Sequence, residues 1–230
     1  MYKRQRVDNA ISYVTPTFAG LTGYAMYSLK KDGTKDGEES MAESDRYASL
    51  ALRYQNGNLE GILVADMTMY GSVDSKAPAD VDNGYTVTLG GNYSFSNGLK
   101  LLAFAQYFDD QYLNAAARAG VTLDGLMHVT GKDKANAYGY VSGYGLRLGM
   151  NYPIGEGTLK GQVAYRDMDN TDDVDFNRWY VALGYDYPLS KRTNLFAMTG
   201  FTQEKVENNV TKEEATPYGY ELSVGIVHRF

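Results

Sequence analysis

Several residue and segment types are scarce or absent in this chain. It has no cysteine, two histidines and one tryptophan among 230 residues. Two histidines leave little material for a Ser-His-Asp arrangement, which argues against a hydrolase of that kind. No run of 18 or more apolar residues occurs, so a transmembrane helix is excluded. The absence of cysteine does not identify the cellular compartment, because chains without cysteine occur both in oxidising compartments and in the cytosol.

Other absences concern the beginning of the chain, its charge and its glycines. Residues 1–6 lack the apolar segment of a secretory signal, as expected of a mature or truncated chain. The net charge of -6 argues against a nucleic-acid partner. No glycine-rich phosphate loop follows a strand and opens a helix, so we expect the 25 glycines in turns and at close-packed positions.

The final segment, 218–230, has the clearest pattern. Because side chains of a strand alternate between its faces, one face here is apolar and the other polar. The apolar face carries Tyr220, Leu222, Val224, Ile226, His228 and Phe230, and the polar face carries Glu221, Ser223, Gly225, Val227 and Arg229. One interpretation is a terminal strand in a soluble core. We favour the other, a strand whose apolar face contacts lipid.

The same two-residue period recurs along the chain, together with 21 tyrosines. It predicts about eleven strands, mostly paired as hairpins: 7–13, 21–29, 47–54, 59–70, 85–95, 99–108, 138–152, 158–168, 178–187, 194–202 and 218–230. The Asn56-Gly57 pair is a strong hairpin signal between two of them.

Short and long connections are predicted to alternate along the chain. Short turns are expected at 153–157 and 188–192, and long polar loops at 30–44, 71–83, 109–136 and 204–217. A membrane β-barrel keeps its short turns at one end, whereas a sandwich or propeller has no reason to do so. Aromatic residues beside the short turns indicate a girdle at one membrane interface: Tyr13, Tyr54, Tyr93, Phe95, Tyr152, Tyr185, Tyr187 and Phe230.

The odd strand count is unusual for such a barrel. Bacterial outer-membrane barrels normally have an even number of strands and both termini in the periplasm. We therefore expect the chain to be the C-terminal part of a larger barrel. The alternative is one further strand hidden in 109–136.

Three segments resemble the Gram-negative general diffusion porins of neisserial and β-proteobacterial type. They are Arg6-Val7-Asp8-Asn9-Ala10-Ile11-Ser12-Tyr13 with the following 15–21, Tyr187-Pro188-Leu189-Ser190-Lys191-Arg192 with the following 193–197, and Val224-Gly225-Ile226-Val227-His228-Arg229-Phe230. The resemblance implies an all-β, transmembrane antiparallel β-barrel. It would make the predicted strands the last eleven of a 16-stranded, trimeric porin.

The resemblance also implies a location, partners and a departure from the family. It implies the outer membrane of a Gram-negative bacterium, contact with its lipid, and assembly by the barrel-assembly machinery through the C-terminal strand, with Phe230 as the signal. We expect residues 1–230 to form a single barrel domain, incomplete at the N-terminus. On this resemblance, we expect this sequence to lack the family's first five strands and its constriction loop.

Basic residues predominate on the predicted polar face of the strands. The candidate pore-lining or constriction residues are Arg4, Arg6, Arg53, Lys100, Arg147, Lys160 and Arg166, with Arg178 and Arg229 on the same face. Fewer acidic residues share it: Asp8, Glu60, Asp66, Asp186 and Glu221. Arg4 and Arg6 resemble the family's constriction arginines. Charged rings bias which ion passes a pore, but any such arginine can equally be a solvated wall residue.

We therefore expect an outer-membrane porin, a passive channel for ions and small hydrophilic solutes, with no enzymatic activity and no cofactor. One alternative is a truncated porin that forms no pore of its own, because open strand edges are untenable in lipid. Another is a complete small barrel of ten to twelve strands that acts as an enzyme or adhesin. The carboxylates of 109–110 and 172–175 could hold a divalent cation, but their spacing is not that of a calcium loop.

Overall fold

The computed structural model describes residues 7–75, 77, 81–113 and 139–229, and these residues are predominantly β-strand. The strands are β1 (Ala10–Val14), β2 (Leu21–Ser28), β3 (Arg46–Asn56), β4 (Leu59–Met69), β5 (Asn83–Ser94), β6 (Lys100–Leu113), β7 (Gly139–Ile154), β8 (Gly157–Asn170), β9 (Val174–Ser190), β10 (Thr193–Asn208), β11 (Glu213–Ala215) and β12 (Tyr218–His228).

All twelve strands belong to one sheet, in which β1 to β11 follow one another in chain order. β12 pairs with β10 beside the short β11, and every register that we describe below is antiparallel. Within the described part of the chain, no helix is long and apolar enough to cross a membrane. The predicted all-β, antiparallel fold class is confirmed.

The chain divides into two compact units, which we treat separately. The first contains β1 to β4, and Val14 of β1 opposes Tyr24 of β2. The second contains β7 to β12, in which β8 lies between β7 and β9. Each unit therefore presents a continuous strand surface on which side-chain positions can be compared across the strands.

The short turns are tighter than the sequence predicts. Residues 155–156 connect β7 to β8, and residues 191–192 connect β9 to β10, so the flanking prolines lie within strands. Pro153 pairs with Thr158, and Pro188 pairs with Asn194 next to a register shift. A proline lacks the N–H of a strand ladder, and an end position or bulge tolerates this.

The predicted strict alternation of short and long connections is wrong at two places. β8 and β9 are joined by residues 171–173 only, and β10 is joined to β11 by residues 209–212. The side chain of Asn170 closes the first turn by accepting hydrogen bonds from the N–H groups of Asp172 (3.1 Å) and Val174 (3.0 Å). Asp173 adopts the left-handed φ of 58° that the turn requires.

Two predicted loops contain strand. β6 continues to Leu113, through residues assigned to the loop 109–136, and Tyr112 packs against Tyr140 with ring centroids 5.1 Å apart. β10 continues to Asn208 and β11 adds a twelfth strand, both within the predicted loop 204–217. Runs of Asp, Glu and Asn suggested loop, but strand pairing overrides such local preferences. The alternative of a strand in 109–136 falls largely on 114–138, outside the described residues.

Candidate functional site

The strands of the second unit have one polar and one apolar face. Opposed residues share a face, so the registers connect Arg147 to Ala164, Tyr180 and Thr202, and the next row joins Gly149 to Gln162, Ala182 and Gly200. We call this surface of β7 to β10 the polar face. On the opposite, apolar face, Leu148 opposes Val163, and Val163 opposes Val181.

Large side chains of the apolar face are exposed. Leu148 is 60% exposed and Leu183 is 50% exposed, whereas Arg178 and Glu204 on the polar face are 5% and 0% exposed. Water-soluble proteins bury most of their large apolar side chains and expose most of their charged ones. A contiguous exposed apolar surface of this extent indicates contact with lipid or with another apolar surface. The arrangement fits strands whose apolar side contacts lipid.

The first unit has the same two faces. Arg53, Ser49 and Asp66 lie on the polar side of β3 and β4, while Leu50 and Leu52 on the other side are 66% and 54% exposed. The two-residue alternation that the sequence showed is therefore present in both units.

Tyrosines mark the short-turn end of the apolar face. The hydroxyl of Tyr185 donates to the carbonyl oxygen of Ile154 (2.9 Å), and that of Tyr187 donates to Oε2 of Glu156 (2.6 Å). Each ring therefore lies on the apolar face while its hydroxyl reaches the polar turn. Tyrosine at a membrane interface has this arrangement.

A second aromatic group lies near the other end of the same strands, and the sequence did not indicate it. The ring of Trp179 packs against Phe201 (5.0 Å between centroids), and Tyr144 against Tyr165 (6.2 Å). Trp179 and Tyr187 are eight residues apart on β9, about 27 Å along a strand. This length is comparable with the apolar band of an outer-membrane barrel, about 25 Å tall.

Three of the predicted pore-lining cations form ion pairs. Nη2 of Arg53 lies 2.6 Å from Oε1 of Glu60, and Lys160 pairs with Asp186 on the neighbouring strand. The side chains of the Arg53–Glu60 pair are 38% and 36% exposed, and solvent screens such pairs. The predicted basic surface is therefore partly neutralised by its own acidic neighbours.

The third pair belongs to a buried cluster around Glu204. Its Oε1 lies 2.9 Å from Nη2 of Arg166, and its Oε2 lies 3.2 Å from Nη2 of Arg178. Glu204 is fully buried, and Phe176 and Val206 on the same face are 0% and 1% exposed. Sequence reasoning missed Glu204 because it assigned this residue to a loop. Glu204 continues the two-residue spacing of Gly200 and Thr202, and this spacing was the sequence signal that could have placed it on the polar face.

Arg147 has a different environment. It is exposed, and within the described ranges it has no ion-pair partner. It lines a cavity of about 570 Å³ in the second unit, together with Asn151, Lys160, Gln162 and Tyr180 among others. Among the predicted cations that the structure describes, Arg147 combines exposure with the absence of an ion pair, so it is available to a solute.

A further cation, Lys31, was not assigned to the polar face by the sequence analysis. From the connection between β2 and β3, Nζ of Lys31 donates to Oγ1 of Thr68 on the polar side of β4 (3.2 Å). Burial lowers the pKa of Lys31, and the nearby Asp45 and Asp66 partly offset this. Loop residues have no strand periodicity, so no sequence pattern pointed to this placement.

Two connections at this end of the first unit are tied together. Oδ1 of Asp45 accepts from the N–H of Gly71 (2.8 Å), and the carboxylate of Asp74 accepts from the N–H groups of Gly37 (2.8 Å) and Asp45 (3.1 Å). The connections 29–45 and 70–75 therefore form one hydrogen-bonded assembly beside Lys31.

The remaining candidate residues are placed as follows. Lys100 begins β6 and is half-buried, and Arg229 follows β12, where its N–H donates to the carbonyl of Arg192 (2.9 Å). Arg4, Arg6 and Phe230 lie outside the described residues.

The described residues contain no group of three or more His, Cys, Asp and Glu side chains that could hold a metal ion. The side chain of Asp175 instead accepts a hydrogen bond from Asn209 (3.0 Å). The carbonyl of Asp110 accepts one from the Tyr70 hydroxyl (2.6 Å).

Comparison with protein families gives a match over most of the chain. The model of the Gram-negative porin family matches residues 2–207. An outer membrane porin protein of Bordetella pertussis is 30% identical, over 98% of this chain and 58% of its own length. Outer membrane porin protein 32 of Delftia acidovorans is also 30% identical, over 87% of this chain and 47% of its own length. The chain thus spans about half the length of these relatives.

Solved structures show the same fold. An anion-selective porin from Comamonas acidovorans superposes with a TM-score of 0.63 at 23% identity, over 97% of this chain and 60% of that one. A loop-deletion mutant of OmpT, an outer membrane protein of Vibrio cholerae, gives 0.60 at 11% identity, over 96% of this chain and 63% of that one. At these identities the likeness concerns the fold alone.

Proposed function

Because the chain is an outer-membrane protein of the Gram-negative porin family, we propose that it forms the wall of a passive channel for ions and small hydrophilic solutes. One observation carries the proposal. Between two aromatic groups, the strands expose an apolar face and carry their charged residues on the opposite face. Lipid contacts the first face, and water and solutes contact the second. The proposed role is that of a channel and not of an enzyme.

We propose a preference for anions. The polar face of β7 to β10 carries four basic residues, Arg147, Lys160, Arg166 and Arg178, against the two acidic residues Asp186 and Glu204. An excess of fixed positive charge in a pore wall attracts anions and repels cations. Arg147 contributes most to this effect, because it is exposed and has no carboxylate partner in the part of the chain that the structure describes.

The other candidate residues have separate proposed roles. Arg53, Lys160 and Arg166 line the wall as paired charges, and Lys100 lines it from β6. Arg4 and Arg6 shape the field at the constriction, by resemblance to the family. These roles rest on strand position and resemblance, and each is open to substitution and measurement of selectivity.

We also propose the partners and organisation that the family resemblance implies. Residues 1–230 belong to a single barrel domain, which contacts outer-membrane lipid and assembles as a homotrimer. The barrel-assembly machinery recognises the C-terminal strand ending in Phe230. The apolar alternation of β12, where Leu222 is 80% and Val224 is 74% exposed, supports a strand that is presented to lipid or to another apolar surface.

The test is single-channel recording on the native product. The mass of the polypeptide recovered from its outer membrane is measured first, so that the protein reconstituted is the one the cell contains. In a planar bilayer with a potassium chloride gradient, we expect stepwise conductance and a zero-current potential of the sign for anion preference. Arg147→Gln should shift that potential towards zero, whereas Arg192→Gln in a short turn should leave it unchanged. Absence of conductance steps would contradict the channel itself.

A further inference from the structure

The cavity beside Arg147 has an uneven lining that suggests a particular class of solute. Its polar side chains include Arg147, Asn151 and Gln162, and its apolar ones include Leu102, Phe196 and Met198. A volume of about 570 Å³ lies within the range of pockets that bind small organic molecules, about 300–1,000 Å³. A pore wall that only passes hydrated ions has no need of these apolar side chains.

The strand registers explain how the polar and apolar parts are arranged. Arg147 lies in one row across the sheet, with Tyr180, and Met198 lies two rows further along, opposite Gly184. The row between them contains Gly149 and Ala182, and Leu102 packs over Gly149, with its Cβ 3.7 Å from where a Cβ on Gly149 would lie. Met198 therefore lies about 14 Å along the strands and three strands across from Arg147, whereas Leu102 lies over the adjacent row, about 7 Å along a strand. The guanidinium of Arg147 and the apolar side chain of Leu102 thus lie within reach of one small molecule.

The charges around the cavity favour one negative charge on that molecule. Arg147 is available to a carboxylate, which it can bind through two parallel hydrogen bonds. The second cation, Lys160, pairs with Asp186. A second carboxylate of the solute at that position would have to compete with Asp186 and would be repelled by it.

We infer that this cavity binds organic monoanions, with Arg147 holding the carboxylate and with Leu102 contacting an apolar body. The inference deepens the proposed channel function, because the cavity lies on the proposed solute path. Chloride would interact with Arg147 only, and a neutral apolar molecule would contact only the apolar side chains of the cavity. A molecule with a carboxylate and an apolar body can make both kinds of contact.

The experiment uses benzoate as the probe and compares it with acetate and benzamide. Binding to the native protein, folded in detergent, is measured by equilibrium dialysis. We expect benzoate to bind saturably and at least tenfold more tightly than acetate, which lacks the apolar body, and than benzamide, which lacks the charge. Because dialysis does not depend on conduction, a protein that binds benzoate but forms no channel would separate this inference from the proposed function.

Substitutions assign the binding to this cavity. Arg147→Gln should weaken benzoate binding at least tenfold, whereas Arg147→Lys should retain part of it. Leu102→Ser should weaken benzoate binding and leave acetate binding unchanged, and Arg192→Gln serves as the matched loss of a charge outside the cavity. Retention of native heat-modifiable migration in gel electrophoresis shows that each variant is folded. Equal binding of benzoate to the wild type and to folded Arg147→Gln would overturn the inference, as would equal affinity for benzoate and acetate.

Discussion

Two arginines on the polar face of the second unit have contrasting surroundings. Arg178 is 5% exposed and shares the buried carboxylate of Glu204 with Arg166. Arg147 is exposed and lines a cavity, with no acidic partner among the residues that the structure describes. The same residue type on the same face of one sheet therefore has two uses. Burial with a carboxylate makes an arginine part of the wall, and exposure beside a cavity makes it available to solutes.

The substitution with the largest expected effect tests the buried cluster of Glu204, Arg166 and Arg178. Glu204→Gln removes the carboxylate that both Arg166 and Arg178 bind, and leaves buried guanidinium groups without that compensation. Breaking a buried ion pair costs about 3–5 kcal/mol. The free energy of unfolding in lipid vesicles, measured by denaturant titration, should fall by about this amount.

A matched control for this substitution is Glu207→Gln. Glu207 pairs with Lys205 at 2.7 Å, but its side chain is 40% exposed, and exposed pairs contribute at most about 1 kcal/mol. If both variants lose equally little stability, the cluster around Glu204 does not hold the wall together.

The next effect tests which face contacts lipid. Val163→Arg places a charge in the middle of the apolar face, where lipid contact costs about 2–4 kcal/mol. Gln162→Arg, one residue earlier, places the same side chain beside the cavity. We expect loss of folding yield and stability in lipid vesicles only for Val163→Arg. Equal tolerance of both variants would show that the two faces do not differ in their surroundings.

A smaller effect compares the two arginines directly. Arg178→Gln removes a charge-assisted hydrogen bond to buried Glu204, worth about 1.5–3 kcal/mol, while Glu204 keeps its bond to Arg166. Arg147→Gln alters an exposed side chain, and its effect on the free energy of unfolding should stay within about 0.5 kcal/mol. Denaturant titration of both variants checks the difference. A loss of stability in Arg147→Gln that matched the loss in Arg178→Gln would remove the distinction between them.

The faces of the strands could be predicted from the sequence because they depend only on local periodicity. The alternation of Leu148, Val163 and Val181 with Arg147 and Gln162 is visible in the chain, and the registers confirm it. The tyrosines at the short turns could be found for the same reason, since they lie next to turns that the sequence indicated.

The features that could not be predicted depend on contacts between distant segments. Glu204 is buried because β10 extends far enough to place it opposite Arg178, in the same row as Arg166, whereas the sequence analysis predicted a loop over 204–217. The side chain of Asn170 closes the β8–β9 turn, although the predicted strands 158–168 and 178–187 implied a longer connection. Lys31 reaches Thr68 from a loop, to which no periodicity applies. Each of these three placements depends on a strand register or a loop path, which local sequence preferences for strand or loop do not determine.

Thiol accessibility along β8 tests most directly which face of the strands contacts water and which contacts lipid. The chain has no cysteine, so single substitutions at 161, 162, 163 and 164 report one position each. In lipid vesicles, a membrane-impermeant hydrophilic thiol reagent should label Gln162→Cys and Ala164→Cys and leave Gly161→Cys and Val163→Cys unlabelled. Detergent solubilisation should make the two protected positions more reactive. Uniform labelling, or labelling of the odd positions only, would contradict a polar face on a water-filled path and an apolar face in lipid.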